Sequence, residues 1–157
     1  MSKEQWGPLL WRLLHNIAEV SDRRDLAFLW ISLMKDTVAV MPCTQCRHHL
    51  GEYLRTHRFM FIKNQHLLTG EQVKKIIRTD LFNLHNSVNS RLNHSVLSFE
   101  EYSALYNKTR SETITEIGVI LAEIRAIWEP LINSRGIFNK WLATIKMMMA
   151  LISGGSM

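Results

Sequence analysis

Apolar residues recur along most of the chain at spacings of three and four residues, which is the pattern of amphipathic α-helices. The pattern predicts a first helix over residues 6–20, with Pro8 near its start, and a second over 23–40. Pro42 ends the second helix and opens a third over 43–57, because proline suits the first turn of a helix. The apolar stripes of the first two helices are Leu10, Leu13, Leu14, Ile17 and Ala18, then Leu26, Leu29, Trp30, Leu33 and Met34.

Two capping boxes mark the starts of further helices. In this motif a Ser or Thr side chain bonds the backbone three residues on, where a Glu or Gln side chain bonds back. Thr69 with Gln72 predicts a fourth helix that reaches Leu92, and Ser98 with Glu101 predicts a short fifth helix. No stretch alternates apolar and polar residues between turn signals, as a strand would. The sequence therefore predicts an all-α protein, a bundle of four helices with a short fifth.

The pattern changes near residue 108. Residues 1–107 are expected to form a core module and residues 108–157 a helical appendage. The appendage contains a long amphipathic helix ending at Pro130 and a second amphipathic stretch, "IFNKWLATIKMMMALI". The stripe of the long helix is Ile114, Ile117, Leu121, Ile124 and Trp128. Such stripes are typical of packing against a core or a homodimer partner, and the methionines also suit a partner protein or a membrane surface.

Length and charge narrow the class of protein. The 157 residues suffice for one domain with a hydrophobic core, and no apolar run approaches the roughly 20 residues that span a bilayer. The N-terminus lacks the features of a secretory signal, which favours a cytosolic or nuclear protein. The net charge of +5 suits an acidic partner or a phosphate-bearing cofactor. No cluster of Lys and Arg indicates nucleic-acid binding, and no such partner is predicted.

The two cysteines of the chain, Cys43 and Cys46, lie in "MPCTQCRHHL" at the start of the third helix. A helix N-terminus stabilises a thiolate, and two intervening residues let the sulfurs close a small, reducible disulfide. His48 and His49 make a zinc site an alternative, although neighbouring histidines on a helix diverge by about 100°. From spacing alone, a redox pair, a zinc half-site and inert thiols all remain open.

A second distinctive stretch, "LFNLHNSVNSRLN", lies in the fourth helix. His85, Leu92 and either Val88 or Asn89 share one helical face, with Asn86 at its edge. Amides at successive turns among apolar residues suit hydrogen bonding to a planar polar ligand. They equally suit the capping and solvation of a helix end.

Taken together, three segments resemble a known family. "WGPLLWRLLH", "PCTQC" and "LHNSVNSRL" occur in the order and approximate spacing of the ERV/ALR family of FAD-dependent sulfhydryl oxidases, particularly its compact members from large DNA viruses. The resemblance covers about residues 6–107. It implies a helical bundle that binds FAD, and it predicts no metal site. His48 and His49 then become electrostatic or surface residues.

The resemblance also implies residue roles. Cys46 matches the cysteine beside the flavin ring, and Cys43 matches the outer cysteine that exchanges with substrate thiols. The implied cofactor-binding residues are Gly7, Trp11, His15, Tyr53, His85, Asn86, Val88, Asn89, Leu92, His94 and Tyr106. The chain departs from the family at two positions. Asp80 stands where a tryptophan is common, and His94 stands where a lysine usually faces phosphate.

The implied reaction passes electrons from substrate thiols through the cysteine pair and FAD to dioxygen, giving hydrogen peroxide. The chain has no further cysteine pair, so the expected substrate is a separate thiol-bearing protein, such as a thioredoxin-like viral redox protein. A homodimer is expected, as is a location in the cytoplasm of the infected host cell, with association with virions. A non-catalytic helical scaffold and a small zinc-binding helical protein are the alternatives.

Overall fold

The computed structural model describes residues 3–59 and 65–154, and this part of the chain forms helices without a β-strand. The helices are α1 (Lys3–Glu19), α2 (Leu26–Val40), α3 (Thr44–Thr56), α4 (Gly70–Arg91), α5 (Phe99–Leu105), α6 (Arg110–Trp128) and α7 (Arg135–Ser153). Single turns of 3-10 helix at Gln65–Leu67 and Glu129–Leu131 precede α4 and follow α6. The prediction of an all-α protein is confirmed.

The capping boxes are formed as predicted. At the start of α4, Thr69 Oγ1 accepts the N–H of Gln72 at 3.2 Å, and Gln72 Oε1 accepts the N–H of Thr69 at 2.8 Å. The same exchange occurs at the start of α5. A third box, between Thr109 and Glu112, starts α6 and was missed in the sequence. Each box supplies hydrogen-bond acceptors to backbone N–H groups at the helix start, which have no acceptor within the helix.

The first helix begins at Lys3, three residues before its predicted start. Pro8 therefore lies in the second turn of α1 instead of the first. The fixed φ angle of proline is compatible with a helix. Pro8 therefore costs α1 only one backbone hydrogen bond, close to its N-terminus.

One continuous hydrophobic core draws on α1, α2, α4, α6 and α7. Helix α6 packs along α1, and α7 packs along α2. Three tryptophans join these layers: the ring centroids of Trp6 and Trp128 are 5.3 Å apart, and those of Trp128 and Trp141 are 5.0 Å apart. The division of the chain at residue 108 stays a prediction, although helices from both sides of it fill the same core.

Hydrogen bonds also join α7 to α2. Trp141 Nε1 donates to Thr37 Oγ1 at 3.0 Å, and Thr144 Oγ1 donates to Asp36 Oδ2 at 2.8 Å. Lys140 Nζ lies 3.4 Å from Asp36 Oδ1. The buried carboxylate of Asp36 thus has both a hydroxyl and an ammonium partner, which offsets its loss of water.

The predicted stripe of α6 faces the core. Ile117, Ile124 and Trp128 are buried, and Ile114 and Leu121 are half-buried and pack against the core. Ile120 and Thr113 are buried as well, which the sequence did not predict. Thr113 tolerates burial because its hydroxyl donates to the carbonyl of Thr109 at 2.9 Å.

None of the helices in the described ranges has the length and apolar character needed to cross a membrane.

Candidate functional site

Cys43 and Cys46 form a disulfide, with their Cα atoms 5.2 Å apart. Cys43 is the N-cap of α3, in extended backbone conformation, and Cys46 lies in the first turn. The N–H of Cys46 points at Cys43 Sγ, 3.1 Å away. A negative charge on Cys43 would therefore have a backbone donor already in place.

Arg47 holds the start of α3 against the preceding segment. Its guanidinium donates to the carbonyl of Met41 and, at 3.0 Å, to Thr44 Oγ1. These two hydrogen bonds join the segment before Cys43 to the first turn of α3.

A cavity of about 750 Å³ lies between α1, α2, α3 and α4, and Cys46 lines it. Its size is within the range usual for small-molecule and cofactor sites. Gly7 lines it on α1, and a Cβ added there would meet no protein atom within 4 Å. The disulfide therefore opens onto a space large enough for an organic ligand.

Aromatic and imidazole rings form one end of this site. The rings of Trp11 and His85 stack with centroids 4.0 Å and planes 9° apart. His15 Nε2 and His85 Nδ1 are 2.8 Å apart, and the ring of Tyr106 lies 5.1 Å from that of His15. Residues from α1, α4 and the end of α5 thus meet in one cluster.

The two histidines are neutral near pH 7. Burial lowers the pKa of His15 to about 3, helped by the neighbouring His85, and burial lowers the pKa of His85 to about 4. In a neutral pair one ring donates and the other accepts. Whichever way the proton lies, His15 Nδ1 is buried without a hydrogen-bond partner among the described residues. A buried polar atom of this kind suits a bound polar ligand.

These shifts predict how stability depends on pH. Both pKa values lie below that of an unfolded histidine, so the unfolded chain binds more protons below pH 6.5, and the free energy of unfolding should fall from about pH 6.5 towards pH 4. Each histidine should contribute up to about 1.4 kcal/mol per pH unit to the slope of the free energy of unfolding against pH. Urea unfolding across this range should show a shallower slope for His85→Asn than for wild type. The exposed His48→Asn is the control, and equal slopes in all three proteins would contradict the prediction.

The segment after α4 is held by Asn86. Its Nδ2 donates to the carbonyl of Leu97 at 2.8 Å, and its Oδ1 accepts the N–H of Leu97 at 3.0 Å. Asn93, in left-handed conformation with φ 59°, reverses the chain, and the N–H of His94 bonds the carbonyl of Asn89 at 2.7 Å. The amides of this stretch therefore shape the loop that brings His94 to the cavity.

An ion pair fixes α5 beside this loop. Arg78 Nε is 2.7 Å from Glu19 Oε2 and the guanidinium also lies over the rings of Phe99 and Tyr102, at 5.3 and 5.6 Å. Tyr102 OH donates to the same Glu19 oxygen at 3.4 Å. These contacts place the C-terminal end of α5, and with it Tyr106, against α1.

Most of the residues predicted from the sequence come together. Those lining the 750 Å³ cavity are Gly7, Trp11, Cys46, Tyr53, His85, Val88, Asn89, Leu92, His94 and Tyr106. His15 lies behind Trp11 and His85, the side chain of Asn86 bonds the loop backbone, and Cys43 lines a different cavity.

Several cations on the same cavity were missed in the sequence. Lys3, Arg12 and Arg91 line it. His49, expected to be an electrostatic or surface residue, lines it as well. Desolvation lowers the pKa of His49, with smaller contributions from Arg91 and other cations. Helical spacing offered a signal for Arg91, which lies three residues after Val88 and so on the same face of α4.

No cluster of three or more His, Cys, Asp and Glu side chains within residues 3–59 and 65–154 could hold a metal ion. His48 and His49 lie edge to face, with ring centroids 5.7 Å apart.

The fold and the site define a class of protein: a helical protein with a Cys-x-x-Cys disulfide beside a cavity large enough for a cofactor. The chain is similar to proteins named FAD-linked sulfhydryl oxidase from three isolates of African swine fever virus, from Namibia, Kenya and Malawi. Each is 34% identical over 115 residues, covering 69% of this chain and 86% of the relative. No protein-family model matches the chain, and no solved structure matches it significantly.

At this identity and coverage, the chain belongs to the ERV/ALR family of FAD-linked sulfhydryl oxidases, as the resemblance implied.

Proposed function

We propose that the protein is a flavin-dependent thiol oxidase that forms disulfides in partner proteins. The observation that carries the proposal is the position of Cys46, a disulfide sulfur that lines a large cavity walled by aromatic and imidazole rings. The names of the viral relatives support the same chemistry.

FAD fits this cavity. The stacked Trp11 and His85 and the ring of Tyr106 offer flat surfaces for the flavin or the adenine, and His15 Nε2 holds the His85 ring from behind. Lys3, Arg91 and Arg12, which also pairs with Glu116 at 2.6 Å, are cations that suit the pyrophosphate. They offer positive charge at a site where His94 stands in place of a lysine. The proposed cofactor-binding residues remain Gly7, Trp11, His15, Tyr53, His85, Asn86, Val88, Asn89, Leu92, His94 and Tyr106.

The cysteine pair begins the reaction. A substrate thiolate attacks Cys43 Sγ, so that a substrate–Cys43 disulfide forms, the Cys43–Cys46 bond breaks and Cys46 leaves as a thiolate. A second substrate thiolate then attacks the substrate sulfur and releases Cys43, leaving the substrate oxidised and the pair reduced by two electrons. The N–H of Cys46, 3.1 Å from Cys43 Sγ, stabilises Cys43 as it leaves.

When bound, FAD would supply the acceptor for these two electrons, with dioxygen as the final acceptor and hydrogen peroxide as the product. The chain's own part is to hold Cys46 on the wall of the cofactor cavity. The neutral His15–His85 pair adds no positive charge to that wall at pH 7.

Filling the cavity from Gly7 should separate cofactor binding from stability. Gly7→Leu introduces a side chain into open space and replaces a poor helix former, so the free energy of unfolding without FAD should stay equal or rise by up to about 1 kcal/mol. The dissociation constant of FAD should rise about tenfold or more, because the side chain occupies the cavity. Fluorescence titration with FAD measures it. Gly118→Leu, on the exposed face of α6 with equally open surroundings, is the matched control. Equal FAD affinity in both variants would contradict the assignment.

The natural substrate is proposed to be a thiol-bearing protein, such as a thioredoxin-like viral redox protein, in the cytoplasm of the infected cell or in virions. A homodimer also stays a prediction. Because α6 and α7 cover faces of α1 and α2, a dimer would have to use other surfaces. A solution mass near 18.3 kDa would contradict a dimer, and a mass twice as large would support it.

The cofactor assignment is tested by heating the purified protein and identifying the released compound by chromatography against FAD and FMN. Release of about one FAD per chain is the expected result. A colourless protein that binds neither flavin when both are supplied would overturn the proposed function.

A further inference from the structure

A second cavity, of about 410 Å³, lies beside the disulfide. Cys43 lines this cavity and Cys46 does not, whereas Cys46 lines the larger cavity and Cys43 does not. Met41 lines both and so lies between them. The two sulfurs of one disulfide therefore open onto two separate spaces.

We propose that this second cavity seats the cysteine-bearing segment of the protein substrate, and that it prefers a segment with acidic residues next to the cysteine. The inference rests on the proposed function, because it takes the incoming thiolate to attack Cys43. It also gives residues 131–137, from the C-terminal part of the chain, a role in substrate recognition.

Cys43 is the sulfur that the substrate thiolate must reach. Thiol–disulfide exchange requires the incoming sulfur to reach the sulfur it attacks. With FAD in the larger cavity, the wall that Cys46 lines is covered, and the cavity on the Cys43 side remains the route for a protein thiol. A cavity at the attacked sulfur also provides contacts that hold a peptide segment in register.

The opposite wall comes from the connection between α6 and α7. One side of the cavity is formed by residues 39–44 and Arg47, and the other by Leu131, Ile132, Asn133, Ser134 and Ile137. The wall is well fixed: the N–H of Ile132 bonds the carbonyl of Trp128 at 3.0 Å, and Ser134 Oγ accepts the N–H of Ile137 at 3.3 Å. A substrate segment thus meets a preformed surface, which limits the entropy lost on binding.

The charge of the cavity indicates the kind of segment. Arg47 is the charged side chain among the residues that line it, all of which the structure describes, and no carboxylate is among them. Its guanidinium is held in place by bonds to Met41 and Thr44. A fixed cation without a nearby carboxylate in the lining complements an acidic segment and the thiolate itself. Val40, Ile132 and Ile137 add apolar surface for the rest of the segment.

The test compares two synthetic dithiol peptides with dithiothreitol. The peptides share one Cys-x-x-Cys core, flanked by two glutamates in one and by two lysines in the other. Dithiothreitol is too small to need the wall formed by residues 131–137. The KM of wild type should be lower for the glutamate peptide than for the lysine peptide.

Ile137→Glu places a carboxylate on the cavity, at a residue that is 40% exposed. It should raise KM for the glutamate peptide about tenfold more than KM for dithiothreitol, because the new carboxylate opposes the glutamates that only the peptide carries. Met147→Glu, on the exposed face of the same helix, changes the net charge equally and is the matched control. Asn133→Asp, a near-isosteric change on the same wall, is the second variant should Ile137→Glu fail to fold.

The inference would be overturned if Ile137→Glu and Asn133→Asp had the same KM for the glutamate peptide as Met147→Glu. A preference of wild type for the lysine peptide would overturn it as well. In both cases oxidation of dithiothreitol would leave the proposed function standing, whereas wild type that oxidises no thiol at all would remove the proposed function itself.

Discussion

Cys46→Ser is expected to reduce thiol-driven oxygen consumption to the uncatalysed rate while the protein keeps its FAD. The serine oxygen cannot form a disulfide with Cys43. A substrate thiolate therefore finds no disulfide to attack, and no electrons leave the substrate. Cofactor binding should survive, because Cys46 is one small side chain among many that line the 750 Å³ cavity. An oxygen electrode with dithiothreitol as substrate, together with the flavin absorbance per chain, measures both quantities.

Two controls make this result specific. Cys43→Ser removes the same disulfide, whose short loop contributes about 2 kcal/mol of stability in the chain-entropy account, so it matches Cys46→Ser in folding. Gln45→Ala changes an exposed residue that lies between the cysteines and lines the same cavity, and it should keep its turnover. Turnover retained in Cys46→Ser would refute the role given to this sulfur.

Trp141→Ala is expected to lower the free energy of unfolding by about 3–5 kcal/mol. The side chain is fully buried in α7 and packs against Trp128, and its Nε1 donates to Thr37 Oγ1 across to α2. Removing it leaves a cavity between the two layers. The hydroxyl of Thr37 keeps one partner, since it also donates to the carbonyl of Leu33 at 2.7 Å.

Urea denaturation followed by circular dichroism measures this change. Met147→Ala, on the exposed face of the same helix, should shift stability by less than about 0.5 kcal/mol. A loss below about 1 kcal/mol in Trp141→Ala would mean that α7 is not part of the core that holds α1 and α2. The loss is a large share of the 5–15 kcal/mol that usually stabilises a domain.

The helices were predictable because their signals are local. Thr69 with Gln72 and Ser98 with Glu101 specify helix starts over four residues, and the stripe of α1 from Leu10 to Ala18 is buried as predicted. The position of the cysteine pair at a helix start was visible for the same reason, but its redox role rested on the family resemblance, because the spacing alone left a zinc half-site and inert thiols open.

The packing partners were not predictable, because an apolar stripe indicates that something covers a helix but not which element does. The sequence therefore left open that α6 covers α1 and α7 covers α2. The full burial of Ile120 beside the half-buried Leu121 was open for the same reason.

Contacts between distant residues were beyond the sequence as well. His15 and His85 are 70 residues apart and bond each other only because α1 and α4 pack together. Lys3 and Arg12 line the cofactor cavity from α1, where the resemblance had indicated only Gly7, Trp11 and His15. The second cavity at Cys43 needs the turn at residues 131–137, nearly 90 residues further along the chain, so no local pattern announces it.

The most direct test of the thiol oxidase assignment is one spectrum followed through a cycle. Purified protein is placed under nitrogen, treated with dithiothreitol and then exposed to air, while the flavin absorbance is recorded. We expect a yellow protein that bleaches with the dithiol and recovers its colour in air, with hydrogen peroxide formed as it does so. A flavin spectrum that the dithiol leaves unchanged, in protein whose Cys43–Cys46 disulfide is intact, would contradict the assignment.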